Sequence, residues 1–143
     1  RSGTMPVPLI VGFGKACEIC NNLIQKESTE ILSLRNNLID NIFAAYPNSI
    51  INGDIKERIP GNINISFPFL NGQSIIPSMP EIAISSGSAC TSSSPGSSHV
   101  LNAIGISKLD ANTSIRMGIG RFNSNHDIDI ASKTIINAIK LKL

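Results

Sequence analysis

The sequence has few aromatic and few charged residues. Of 143 residues, 4% are aromatic, none is tryptophan, and 15% are charged. A core must therefore be aliphatic, and a hydrophobic content of 41% is enough to build one domain. The net charge is +2 and no basic cluster marks a nucleic-acid surface. No apolar run approaches the roughly 18 residues of a membrane span. Binding to nucleic acid or to a membrane is therefore not predicted.

Cysteine is also scarce. Cys17, Cys20 and Cys90 are too few, and odd in number, for the disulfide framework of a small secreted protein. Free thiols in a reducing compartment are expected instead. The chain begins with Arg1 rather than methionine, and no signal peptide is visible. We therefore expect a fragment or a processed product.

The sequence pattern predicts an α+β domain. Apolar residues recur at spacings of three and four from Ile10 to Ile24 and again from Ile31 to Ala45, which predicts one long helix, either straight or kinked near 27–29, that ends before Pro47. Shorter elements follow: strands at 62–67, 81–85 and 113–120, a short helix within 73–79, a serine-capped helix ending near Gly105, and a last helix after a capping box at 124–127. The expected architecture is a long helix with a sheet of three or four strands and packing helices.

Cys90 lies in the segment "SSGSACTSSSPGSSH". Serine and glycine cannot form an apolar pocket, so this thiol is predicted to be accessible. No lysine or arginine between Ile59 and Lys108 is available to lower its pKa locally. A functional thiol and an ordinary loop cysteine therefore both remain open.

Arg116 lies in the predicted strand "TSIRMGIG". A period of two places it on the face opposite Ile115 and Met117, beside the small residues Ser114 and Gly118. A planar guanidinium on such a face suits a carboxylate, which it can bind through two hydrogen bonds. A structural ion pair is the alternative.

Two further motifs stand near the N-terminus. Cys17 and Cys20 form a C-x-x-C on the apolar stripe of the long helix, and core packing is predicted for them. A zinc site would need two more ligands, for which only the histidines at 99 and 126 remain. Thr4, in "RSGT", precedes the helix and could contact a phosphate. A frayed terminus is the alternative for Thr4.

Five stretches together resemble one family: "RSGTMPVPLIVGFGKACEI", "IPGNINISF", "AISSGSACTSSS", "VLNAIGIS" and "SIRMGIGRF". They are similar to the C-terminal third of the class V, pyridoxal-phosphate-dependent cysteine desulfurases used in iron–sulfur cluster assembly. The resemblance implies a fold-type I enzyme. Residues 1–48 would be the end of its large-domain segment and the long connecting helix, and residues 49–143 its small C-terminal domain. A homodimer in the bacterial cytoplasm or the mitochondrial matrix is also implied.

The resemblance implies roles for three residues. Enzymes of that family take sulfur from L-cysteine and leave L-alanine. Cys90 matches the catalytic cysteine, which becomes a persulfide and passes sulfur to a scaffold or carrier protein. Arg116 matches the arginine that binds the substrate carboxylate, and Thr4 matches a threonine that reaches the cofactor phosphate of the other subunit. Cys90 would also be a transient metal ligand, in a [2Fe–2S] cluster shared with the scaffold.

The sequence departs from that family in two respects. After the cysteine motif the family continues with Leu-Glu-Pro-Ser, whereas this chain has Ser94-Pro95-Gly96-Ser97. The lysine that binds pyridoxal phosphate belongs to the preceding large domain and has no match here. The chain alone is therefore expected to be inactive. A truncated, catalytically incomplete sulfur-acceptor or interaction module is the alternative function.

Overall fold

The α+β class is confirmed. The computed structural model describes residues 3–70, 74–86 and 98–143. Within these ranges the elements, in chain order, are α1 (Val7–Ala45), β1 (Ile50–Ile51), β2 (Asn62–Ser66), α2 (His99–Ala103), α3 (Lys108–Thr113), β3 (Ile115–Gly118) and α4 (Asn125–Lys140). Two 3-10 turns, Pro68–Leu70 and Ile76–Ser78, lie between β2 and α2.

The predicted long helix is confirmed: α1 is one helix of 39 residues, and it continues through residues 27–29, where a kink was the alternative. It begins directly after Pro6, where a missing N–H costs no helical hydrogen bond. It ends at Ala45 because Pro47 disfavours the helical conformation in the residue before it. Tyr46 accordingly has φ −136° and ψ 80°.

The sheet is antiparallel, with the order β1-β2-β3. Its central strand pairs Ile65 with Ile51 on one side and with Ile115 on the other. Successive side chains of a strand point to opposite faces, so one face of the sheet carries isoleucines. Ile63, Ile65 and Ile115 are at most 1% exposed, which marks this face as the core side.

The core lies between that face and the helices α1 and α4. Helix α4 contributes Ile128, Ile135 and Ile139, whose spacing of seven and four places them on one stripe. The second half of α1 contributes Leu38 and Ile42. The rest of the buried cluster consists mainly of Phe67, Leu70, Ile75, Met79 and Met117. The core is aliphatic apart from one buried phenylalanine, as the composition predicts.

The start of α4 is fixed by the predicted capping box. The Ser124 hydroxyl accepts the Asp127 N–H at 3.4 Å, and the Asp127 carboxylate accepts the Ser124 N–H at 2.8 Å. The Ser124 hydroxyl also donates to this carboxylate at 2.9 Å, and the two bonds donated by Ser124, the N–H first, lower the pKa of Asp127.

Two local predictions need correction. The strand predicted at 81–85 is absent, since only Ser85 is paired, in a single bridge to Arg116. The chain turns back at Met79, whose carbonyl accepts the Ile82 N–H at 3.4 Å, before a strand can begin. Helix α3 was not predicted because it has no apolar periodicity. Its one sequence signal is Ser107, whose hydroxyl accepts the Asp110 N–H at 3.1 Å.

The prediction that Cys17 and Cys20 pack in the core is wrong, because both are exposed. The residues around them are exposed too: Leu9 by 73% and Phe13 by 72%. The sheet and α4 cover only the second half of α1, so the apolar stripe of its first half has no covering layer in the described chain. Among the described residues, no group of three potential metal ligands surrounds either cysteine.

The exposed part of α1 also bears on the membrane prediction. An 18-residue window of the helix has a mean hydropathy of 1.2, and none of it is buried. By length and composition alone this helix could cross a membrane, contrary to the expectation from the sequence. Core helices of water-soluble proteins and signal sequences meet the same criterion, so it does not assign α1 to a membrane.

Gly61 provides a test of the packing between β2 and the end of β3. Its carbonyl accepts the Ile119 N–H at 2.9 Å, and a Cβ at this position would collide with the Ile119 carbonyl oxygen and crowd Ile31. We expect Gly61→Ala to lower the free energy of unfolding by about 1–3 kcal/mol, measured by urea denaturation.

Gly118→Ala is the matched control, because a Cβ at Gly118 meets nothing within 4 Å. Equal stability of the two variants would contradict the predicted clash.

Candidate active site on the polar face of the sheet

The face of the sheet opposite the core is polar. Antiparallel pairing places Asn64 directly across from Arg116, one residue along from the buried pair Ile65 and Ile115. Directly paired residues project from the same face, so the amide and the guanidinium lie side by side. The predicted orientation of Arg116 away from Ile115 and Met117 is confirmed: both of these are buried, and Arg116 is exposed.

Four polar side chains near Arg116 form a hydrogen-bond cluster, which we call the Asn52 cluster: the buried Asn52, Ser66 and Ser114, and the half-buried Asn64. The Asn52 amide nitrogen has two donor hydrogens and lies within hydrogen-bond distance of three acceptors, Asn64 Oδ1 at 2.7 Å, Ser66 Oγ at 2.7 Å and Ser114 Oγ at 3.2 Å. The two serine hydroxyls are 2.7 Å apart, and Ser114 also donates to the Asp110 carbonyl at 2.9 Å. This cluster links β1, β2 and the start of β3 on the face of the sheet that carries Arg116.

Sequence reasoning missed this cluster. "NINISF" shows the alternation of a strand, and the same alternation places Asn64 and Ser66 together opposite Ile63 and Ile65. That signal was available. The contribution of Asn52 was not, because it depends on β1 pairing with β2 across a ten-residue connection.

The backbone of Arg116 is paired on both sides. On the edge of β3 opposite β2, the Arg116 N–H donates to the Ser85 carbonyl at 2.6 Å, and the Ser85 N–H donates to the Arg116 carbonyl at 3.1 Å. Ser85 is the residue from which the chain continues into the serine-rich stretch. That stretch therefore starts directly beside Arg116.

The other end of the stretch is also fixed. Ser98 is 7% exposed and caps α2, accepting the Leu101 N–H at 3.4 Å. Cys90 lies between these two anchors, within 87–97, and so outside the described residues. Cys90 is five positions after Ser85, so a fully extended chain could place it at most about 18 Å from Ser85.

Thr4 lies far from the polar face. It is exposed and precedes α1, whose residue Glu27 contacts the chain just beyond β3 through a 2.9 Å ion pair with Arg121. The 20 residues from Val7 to Glu27 span about 30 Å of helix. The structure therefore brings Arg116 and the start of the serine-rich stretch together but leaves Thr4 apart from them.

Comparison with known proteins gives the family. The profile described as "Aminotransferase class-V" matches residues 1–130. The chain belongs to the aminotransferase class-V family. The resemblance that the sequence motifs indicate is confirmed by relatives named as cysteine desulfurases. One, "Cysteine desulfurase IscS" of Rickettsia typhi, is 48% identical over 139 residues, 97% of this chain and 34% of the relative. The "Cysteine desulfurase" of Homo sapiens is 43% identical over 140 residues, 98% of this chain and 31% of the relative.

Solved structures of the family share this fold. A NifS-like protein from Rickettsia africae superposes with a TM-score of 0.78 at 27% identity, covering 98% of this chain and 36% of that one. A second NifS-like protein gives a TM-score of 0.79 at 24% identity, covering 99% and 36%. The chain spans about a third of the length of the relatives that it matches.

The family implies pyridoxal phosphate as cofactor. The described residues suit contacts to anionic groups, with the Arg116 guanidinium on the polar face and the exposed Thr4 hydroxyl before α1.

The Asn52 cluster can be tested through stability. Asn52→Ala removes the shared donor and leaves the buried Ser66 and Ser114 hydroxyls with fewer partners. We expect the free energy of unfolding to fall by about 1–3 kcal/mol, measured by denaturant titration.

Asn137→Ala, on the exposed side of α4, is the matched control and should leave stability unchanged or slightly raised. An Asn52→Ala variant as stable as this control would show that the cluster contributes nothing.

Proposed function

We propose that this chain is the part of a cysteine desulfurase that carries its sulfur-accepting cysteine, Cys90, and its substrate-binding arginine, Arg116. The enzyme would take sulfur from L-cysteine, release L-alanine and supply iron–sulfur cluster assembly. One observation carries this proposal: the backbone pairing between Ser85 and Arg116, which starts the cysteine-bearing stretch beside the arginine. The names of the relatives support the choice of reaction.

In this proposal Arg116 orients the substrate. Its guanidinium would bind the α-carboxylate of L-cysteine through two charge-assisted hydrogen bonds, a geometry that lysine cannot offer. Asn64 lies directly across the strands from Arg116, and the Asn52 amide nitrogen holds the Asn64 side chain by donating to its Oδ1 at 2.7 Å. The substrate would therefore be held by a side chain whose strand is paired along both edges.

Cys90 would be the nucleophile. Its thiolate would form an S–S bond to the substrate sulfur as the C–S bond breaks. The bonding electron pair would pass to the substrate carbon, which takes up a proton and leaves as L-alanine, while Cys90 keeps the persulfide. Pyridoxal phosphate, when bound, supplies the electron sink that such a cleavage needs. No external oxidant or reductant is required.

Other residues would complete the site from outside this chain. The lysine that holds pyridoxal phosphate is expected there, so the chain alone is not expected to catalyse the reaction. Thr4 would contact the cofactor phosphate of the other subunit in a homodimer. Its distance from Arg116 along α1 supports a role at a second site rather than at the one its own chain builds.

The acceptor of the sulfur would be an iron–sulfur scaffold or a sulfur-carrier protein. A stretch rich in serine and glycine would suit the task, because one thiol must meet both a bound substrate and an external protein. Cys90 would also be the transient [2Fe–2S] ligand shared with a scaffold. Bacterial and mammalian relatives are consistent with the bacterial cytoplasm or the mitochondrial matrix as its location.

The role of Cys90 is tested in an assembled enzyme that combines this chain with the lysine-bearing part of the family. Cys90→Ala should abolish alanine formation from L-cysteine and the one-sulfur mass increase on the Cys90 peptide. The visible absorbance of the bound cofactor should be unchanged, because Cys90 is assigned to sulfur transfer alone.

Cys17→Ala and Cys20→Ala are matched controls, since both thiols are exposed on α1 and outside the proposed reaction. Cofactor loss in Cys90→Ala would contradict the proposed role. A wild-type chain that gains sulfur only from a separate desulfurase, without alanine formation in the assembly, would favour the sulfur-acceptor alternative.

The role of Arg116 predicts a separate kinetic signature. Arg116→Gln should raise KM for L-cysteine about ten- to a hundredfold, since hydrogen bonds to a charged group contribute about 1.5–3 kcal/mol. Arg116→Lys should recover part of this loss by restoring the charge but not the planar fork. KM for each variant is measured from the steady-state rate of alanine formation at a series of L-cysteine concentrations.

Arg121→Gln is the control arginine, because its partner is Glu27 on α1. An unchanged KM in Arg116→Gln would remove the arginine from the proposed carboxylate site.

A further inference from the structure

A second polar site lies between α1 and the turn after β1. A cavity of about 480 Å³ opens there, lined by Leu32, Arg35, Asn36, Ile55, Lys56, Arg58 and Pro60. Three of these residues are cationic and none is acidic. The cavity shares no residue with those assigned to desulfuration.

Arg35 is the most unusual residue of this cavity. It is 5% exposed, and no described carboxylate lies within ion-pair distance of it. Its Nε and Nη2 share one weak acceptor, Asn36 Oδ1, at 3.4 and 3.3 Å. Its Nη1 donates to no described group. Among the described residues, every solvent-inaccessible side-chain nitrogen or oxygen has a hydrogen-bond partner. Because Nη1 has none, it is accessible to solvent.

Arg58 adds a second guanidinium, which is half-buried. Its Nη2 donates to the Asn52 carbonyl at 2.6 Å and its Nε to the Asp54 carbonyl at 2.5 Å. These bonds hold one edge of the guanidinium and leave the Nη1 donors uncommitted. Burial, and then the nearby charge of Arg35, lower the pKa of Arg58. The two arginines thus repel each other.

The neighbouring acid, Asp54, offsets the charge of Arg58 only in part, since its attraction is the smallest of the effects on the pKa of Arg58. The Asp54 carboxylate accepts the Lys56 and Glu57 N–H groups at 2.6 and 2.9 Å, which lower its pKa and hold it within the turn. Asp54 does not line the cavity. Among the described residues, no carboxylate lies within ion-pair distance of the cationic groups of the cavity.

We propose that this cavity binds a small oxyanion of phosphate type. A buried guanidinium without a counter-charge is unfavourable, and an anion between Arg35 and Arg58 would remove both the desolvation penalty and the repulsion. Guanidinium groups match the tetrahedral oxygens of phosphate through paired hydrogen bonds. Two guanidiniums with the Lys56 ammonium favour a doubly charged ion over a single carboxylate.

The test is calorimetric titration of the full chain with inorganic phosphate, with sodium chloride at equal ionic strength as the reference. Saturable binding of one phosphate per chain is expected. Arg35→Gln and Arg58→Gln should each weaken it at least tenfold, and the exposed Lys56→Gln less. Arg121→Gln, which removes the same charge outside the cavity, should bind as the wild type does.

Thr4→Ala separates this site from the proposed cofactor-phosphate contact and should also bind phosphate normally. If Arg35→Gln fails to fold, Arg58→Gln and Lys56→Gln still decide the matter. Absence of saturable binding in the wild type would overturn the proposal, as would unchanged affinity in the cavity variants. Tighter binding of succinate than of phosphate would overturn the assignment to a phosphate-type ion.

Discussion

The candidate site depends on the register of β2 against β3. With Asn64 opposite Arg116, the alternation of the strands places an amide and a guanidinium on one face and Ile65 with Ile115 on the other. A shift by one residue would turn Arg116 into the aliphatic core and expose the isoleucines. Because Ile65 and Ile115 are at most 1% exposed, burial of the core itself fixes where the arginine stands.

The same register brings buried polar groups together, and these need partners. The Asn52 amide meets that need by bonding to β2 and to Ser114, at the N-terminal edge of β3, at once. It also explains how a strand of two residues, β1, stays in the sheet. Arg58 then bonds to the Asn52 carbonyl, so one asparagine connects the polar face with the cationic cavity.

The sequence predicts what depends on short-range spacing. The length of α1, the capping box at Ser124 and the orientation of Arg116 all follow from patterns within a few residues. The sequence does not predict which apolar stripe of a helix packs against another element, so the prediction that Cys17 lies in the core is wrong. The cationic cavity was missed for the same reason, since Arg35 meets Arg58 only through the fold.

The two halves of α1 differ in what covers their apolar side chains. From Glu27 onwards the helix is tied to the sheet and to α4, through the ion pair with Arg121 and the buried Leu38 and Ile42. Before Glu27 its apolar residues are uncovered in the described chain. Hydrophobic side chains exposed in such number are unfavourable in water, so this half requires a further surface. A covering surface there would lie next to Thr4, about 30 Å along α1 from the ion pair between Glu27 and Arg121.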